Sequence, residues 1–202
     1  MPEDDVTMLS LGPAAAEVTR LVEGVTDDQL SLPTPCGDTP VAGLLEHFMG
    51  LTHAFTCGAR KVQPTENTGG LPDPENLDPD WRSVLPRRLQ ELVDAWSEPS
   101  AWEGVTEVGS VSMPAAEMGA VALDELVLHG WDLARGTGQT FTCDRDSVNA
   151  VLGFTATMSQ PEHLDSREGL FGPVVEVPQD APTLHRALGF AGRDPGWTSP
   201  AT

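Results

Sequence analysis

Between Met8 and Val25 the apolar positions Leu9, Leu11, Ala15, Val18, Leu21, Val22 and Val25 recur mostly at intervals of three and four. That spacing predicts an amphipathic helix, with Pro13 near its start, where proline is tolerated. A polar turn, Thr26 to Leu30, and a Pro- and Gly-rich loop through Cys36 follow. Thr39 and Pro40 then predict a helix start, Thr as N-cap and Pro at the first helical position, with the helix running to about Lys61. The stretch from Gln63 to Asp80 is rich in Pro, Gly, Asn and Asp and predicts a long surface loop. Val84, Leu85, Leu89, Leu92, Val93 and Trp96 predict a third helix from Trp81 to Trp96, capped by Asp80 and strained by Pro86.

From Ser97 to Ser112 the pattern shifts to Gly, Val and Thr, which predicts a short irregular or hairpin-like connection. A fourth helix is expected from Ala115 to Thr137, stopped by Gly138, and a fifth from a cap at Asp144 or Asp146 through Met158. Beyond it, FGPVVEVP reads as extended, Thr183 to Ala191 as a short helix, and the end as a Gly- and Pro-rich tail. The fold class is therefore all-α, an up-and-down-type helical bundle with excursions. It forms one unit over 1–202, with the bundle across 8–160 and an extended segment, short helix and tail across 161–202.

Two helices carry polar groups on faces that should be buried. At about 100° per residue, Met118 lies about 20° from Glu125, His129 about 40°, Asp132 about 20° to the other side and Val121 about 40°. On the second helix His47 is centred among Gly43, Leu44, Leu51, Ala54 and Gly58, whereas His53 lies about 120° away and cannot easily share a ligand with it. Buried ionisable groups are costly unless paired, hydrogen-bonded or bound to a metal. Bundles build metal sites from inward side chains on facing helices. His47, Glu125 and His129 thus supply three ligands, and three protein ligands with open positions make a catalytic type of site. The competing reading is that each is a hydrogen-bonded core residue.

Composition narrows the partners. With 31 Asp and Glu against 11 Lys and Arg, the formal net charge is -20, so nucleic acid and anionic membranes are poor partners and a small molecule is the better one. Cys36, Cys57 and Cys143 are odd in number and widely spaced, against a disulfide scaffold or a cysteine zinc site. The acidic start MPEDDVTML lacks the features of a signal peptide and no run has the length of a membrane span, so a cytoplasmic location is expected. Nothing marks an oligomer interface.

The segments PTPCGDTPVAGLLEHFMG, ALDELVLHGWDLARGTGQ, FGPVVEVP and LGFAGRDP together resemble the actinobacterial metal-binding relatives of mycothiol-dependent maleylpyruvate isomerase, in the DinB-like superfamily. The resemblance implies a DinB-like four-helix bundle with a divalent metal, often zinc, on His47, Glu125 and His129. Glu125 in place of a His is similar to the isomerase branch. Relatives usually carry Trp after Cys-Gly-Asp, where this chain has Thr39-Pro40, so the substrate is not inherited. Zinc leads as the metal, with nickel and iron also suited to two His and one carboxylate.

The chemistry so implied is activation of a low-molecular-weight thiol such as mycothiol, whose thiolate attacks a small electrophile in isomerisation or S-transfer. Asp132 is placed to accept a hydrogen bond from a ligand His or to shuttle a proton. Arg135, on the edge of the face, is a candidate contact for a substrate carboxylate, against a surface salt bridge. Trp131 is read as packing, and Cys36 as a buried small residue that could lie near the metal. Two other functions compete: a non-catalytic metal- or thiol-binding protein, and a thiol-independent lyase or cyclase of secondary metabolism.

Overall fold

The computed structural model describes residues 8–64, 72–167 and 170–199. Four long helices carry the core: α1 (Gly12–Glu23), α2 (Val41–Arg60), α3 (Trp81–Trp96) and α4 (Ala115–Thr137). A hairpin, β1 (Val105–Val108) and β2 (Val111–Pro114), leads into α4, and α5 (Arg145–Met158), α6 (Leu164–Arg167) and α7 (Thr183–Phe190) follow. α1 packs on α3 and α4, and α2 packs on the same two, so the four close into a ring in which α1 faces α2 across the middle. α5 lies on α4, and α7 on α5. The chain is all-α apart from the hairpin, a four-helix bundle, and no helix among the described residues is long and apolar enough to cross a membrane.

The predicted periodicities are what the bundle buries. Val18 and Leu21 of α1, Leu44, Leu45 and Phe48 of α2, Leu85 and Leu89 of α3, and Leu123, Leu126 and Val127 of α4 meet in one cluster, each at most 2% exposed. Pro86 sits inside α3 without breaking it. Its lost amide bond is outweighed by the burial of Trp81, Leu85 and Leu89 around it, since helices in proteins persist mainly through the packed face. Trp96 donates its indole N–H to the Phe55 carbonyl at 3.1 Å and Trp102 to the Trp96 carbonyl at 2.7 Å. The two rings meet edge to face, seating the hairpin end of the chain against the start of α4.

Several details depart from the sequence expectation. α2 starts at Val41 with Pro40 as its N-cap, one residue later than expected, because the preceding loop satisfies the helix start itself. Val41 N donates to Leu32 O and Ala42 N to Leu30 O, leaving the Thr39 hydroxyl nothing to cap. Asp80 stands at the N-cap of α3, but its side chain makes no capping bond; its own N–H is taken by Asp78. FGPVVEVP joins no ladder; its backbone is fixed by Val175 N donating to Gly189 O. The expected long loop lies partly outside the described residues, and its described end is a short turn, Pro74–Asn76, capped by Asp73. The hairpin, the stop of α4 at a left-handed Gly138 and the Asp144 cap of α5 are as expected.

Candidate metal centre

α4 is apolar on the flanks that meet α1 and α5, and this burial fixes its rotation in the bundle. Glu125 and His129 therefore project together toward α2, where His47 projects back. His129 Nε2 lies 3.1 Å from Glu125 Oε2, and His47 Nε2 lies 3.6 Å from the same oxygen. The imidazoles stand edge to face with centroids 4.9 Å apart, and one donor atom from each of the three residues lies within 4.8 Å of the others. The side chains are 26%, 23% and 12% exposed for His47, Glu125 and His129, so the cluster is sheltered yet open to a small ligand.

The far side of His129 is closed. Its Nδ1–H donates to Asp132 Oδ2 at 3.0 Å, and a carboxylate can only accept, which assigns a proton to Nδ1 and turns Nε2 toward Glu125. Asp132 is fully buried, and its charge is met by Arg193, whose Nε and Nη2 donate to the carboxylate at 2.8 to 3.1 Å. Burial pushes the Asp132 carboxyl up, but the Arg193 guanidinium and the His129 imidazole outweigh it and hold it below the ordinary carboxylate range. Burial likewise pushes Glu125 up, and the His129 and His47 imidazoles beside it hold it well below. For His129 burial disfavours the imidazolium, yet Asp132, Cys36 and Glu125 raise it well above its ordinary value.

Glu125 Oε2 is buried and has no hydrogen-bond partner, although two imidazole nitrogens face it. An orphaned carboxylate oxygen converging with two imidazole nitrogens is the donor set of a divalent cation, and the residues fit one. A second group of donors, Cys36, His129 and Asp132, also lies within 4.8 Å, on the Nδ1 side of the ring. Cys36 reaches it from the loop before α2, which approaches α4 closely at Gly136: a Cβ there would stand 3.1 Å from the Pro33 carbonyl.

Of the residues singled out from the sequence, His47, Glu125, His129 and Asp132 are brought together, with Cys36 beside them. Arg135 is not among them. Its guanidinium donates to the Trp197 carbonyl, Nε at 3.0 Å, and makes no ion pair among the described residues. Trp131 is buried packing, and His53 faces Cys57 at 3.8 Å, away from the cluster.

Sequence reasoning missed Arg193 and Asp124. Asp124 is 2% exposed with Oδ1 unpartnered, and burial together with the neighbouring Glu125 charge raises its carboxyl well above the ordinary range. A signal existed: Leu128 and Trp131 lie four and seven residues further along the same helical face. Arg193 lay within LGFAGRDP, one of the segments that carry the resemblance, but no helical period related it to the face of Asp132.

Fold and site together define a DinB-like helical bundle with a metal-type donor set. The chain belongs to the mycothiol maleylpyruvate isomerase N-terminal domain family, whose profile matches residues 11–134 and so includes His47, Glu125, His129 and Asp132. It is similar to uncharacterized protein Rv0738 of Mycobacterium tuberculosis (strain ATCC 25618 / H37Rv) and to uncharacterized protein MT0763 of strain CDC 1551 / Oshkosh. Each is 22% identical over 176 residues, covering 86% of this chain and 90% of the relative. No solved structure matches at a significant level.

Proposed function

We propose that the chain is a divalent-metal-dependent enzyme of the mycothiol-dependent isomerase or S-transferase type, acting with a low-molecular-weight thiol on a small electrophile. The observation that supports it best is the orphaned Glu125 Oε2 facing the Nε2 atoms of His47 and His129. These three residues hold the metal, with zinc the best suited of zinc, nickel and iron. A divalent cation there supplies a positive charge that lowers a thiol pKa and favours the thiolate at neutral pH.

The protein's own groups do the rest. Glu125 contributes one negative charge against the dication. Asp132 keeps a proton on His129 Nδ1, so that Nε2 is the nitrogen presented to a cation. Arg135 holds the C-terminal segment through the Trp197 carbonyl. In isomerisation the thiolate forms a C–S bond to an activated double bond, the resulting single bond rotates, and the same thiolate leaves. Nothing is oxidised or reduced, and no atom is gained. In S-transfer the C–S bond is kept and a proton goes to the carbon or to the leaving group.

The test is elemental analysis of the purified protein, then calorimetry with mycothiol on zinc-loaded protein, then turnover of maleylpyruvate with and without thiol. Stoichiometric metal lost in His47→Ala, thiol binding that needs the metal, and thiol-dependent turnover are expected. Absence of metal affinity overturns the site; turnover without thiol overturns the thiol and favours a lyase or cyclase; metal without any turnover favours a binding protein.

A further inference from the structure

His129 has two coordinating nitrogens, and each faces a different set of potential metal donors. On the Nε2 side stand His47 and Glu125; on the Nδ1 side stand Cys36 and Asp132. By donor chemistry alone the second set is the stronger attraction for zinc, since it offers a thiolate, a carboxylate and an imidazole. We infer that Arg193 is the specificity-determining residue of this centre: its guanidinium fills the Cys36–His129–Asp132 set and confines the metal to the His47–Glu125–His129 set. This rests on the reading of the latter as a metal site.

The geometry supports an exclusion role. Arg193 Nη2 stands 3.5 Å from His129 Nδ1 and 2.8 Å from Asp132 Oδ2, while Nε bridges both carboxylate oxygens at 3.0 and 3.1 Å. A fixed positive charge at that range opposes any second cation, and it leaves Asp132 few lone pairs to offer one. The guanidinium is itself held. Nη1 donates to Ala191 O at 3.3 Å, and Arg193 N donates to Leu188 O at 2.8 Å. The turn that delivers it runs through Gly192 at φ +81°, where a Cβ would stand 2.6 Å from the Gly172 backbone. Only glycine serves that turn. Arg135 holds the next residues by the Trp197 carbonyl. The arm that chooses the metal's position thus comes from the C-terminal segment, outside the residues 11–134 that match the family.

Cobalt(II) reports the donor set directly, because a thiolate ligand adds a sulfur-to-cobalt charge-transfer band in the near ultraviolet. Full-length wild-type protein titrated with cobalt is expected to show a d–d spectrum of nitrogen and oxygen donors without that band. Arg193→Met is expected to gain the band, to lose it again in Arg193→Met/Cys36→Ser, and to weaken cobalt binding at the original set roughly 10- to 100-fold. Arg193→Lys, which keeps the charge, is expected to stay free of the band. Cys36→Ser alone leaves Arg193 in place and is expected to leave spectrum and affinity unchanged. A sulfur band in wild type, a cobalt affinity altered by Cys36→Ser, or Arg193→Met that binds cobalt without sulfur overturns the inference. Should Arg193→Met fail to fold, Arg193→Gln, which keeps a hydrogen-bonding side chain but removes the charge, takes its place with the same expected band and the same overturning result. Wild type that takes up no cobalt at all overturns the metal reading instead.

Discussion

Glu17 and Glu125 are both glutamates tucked against the bundle, and their oxygens end differently. On α1, Glu17 is 8% exposed; its Oε1 accepts from Thr142 N at 2.7 Å and Arg20 Nη2 at 2.8 Å, and its Oε2 accepts from Arg20 Nε at 2.8 Å. Both oxygens are engaged, and Arg20 also ties the Thr140 carbonyl. The result is a closed stitch between α1 and the segment entering α5. Glu125 lacks any such closure at Oε2. A carboxylate whose partners are complete is a structural device. One whose neighbours converge without completing it is where the proposed cation would sit.

The largest effect that sharpens this contrast is on metal affinity. Glu125→Ala is expected to weaken zinc binding on the order of 100- to 1,000-fold, about a quarter of the binding free energy of a structural zinc site. Metal-free stability should fall only modestly, since the ion pair between Glu125 and His129 goes with it while the burial cost of the carboxylate is also removed. Calorimetric titration and urea melts measure both; a large stability loss with intact zinc affinity breaks the comparison. Glu17→Ala should show the converse, a loss of about 1–3 kcal/mol in urea-derived stability, from lost hydrogen bonds at Thr142 N, with zinc affinity unaltered.

Acidity separates the two sites next. Burial pushes the Glu17 carboxyl up, but Arg20 and Thr142 outweigh it, so the folded value lies below the ordinary 4.5. The unfolded chain therefore binds the proton more readily. Stability from Glu17 is present above the ordinary value and is lost as pH falls through the folded one. Urea midpoints between pH 3 and 7 should fall at the acid end in wild type and fall less in Glu17→Gln. At the metal centre the raised His129 value has the opposite sense: protons compete with the cation, so zinc affinity should keep rising with pH beyond the ordinary histidine value of 6.5. The smallest effect is Arg135→Ala, which gives up the bonds to Trp197; about 0.5–1.5 kcal/mol of stability should go, with zinc affinity held within about threefold.

How much of this was legible in the sequence follows from how local each feature is. Helical spacing carried α1 to α5 and the short α7, because an amphipathic period is written into a dozen consecutive residues. Glu125, His129 and Asp132 share one helix, so their common face could be computed, and His47 could be paired with them because its own face is apolar. Arg193 lies 61 residues beyond Asp132 in an irregular segment, where no period relates one position to another. Whether Arg135 met a substrate, a carboxylate or a carbonyl depended on where the tail runs, which is a property of packing. The one-residue shift at Pro40 arose the same way, from loop carbonyls at Leu30 and Leu32 that took the cap's role.

The ring order of the bundle has a kinetic meaning. α1 and α2 are neighbours in the chain but face each other across the ring, and α3 and the hairpin lie between α2 and α4 in the chain. The pairings that create the site, His47 with Glu125 and Asp132 with Arg193, are all distant in sequence, and distant pairings close late because loop entropy is spent before they form. Helix signals in a refolding experiment should therefore rise before any cobalt spectrum does. Metal capture would then act as a timestamp on finished topology, unable to serve as a seed for it.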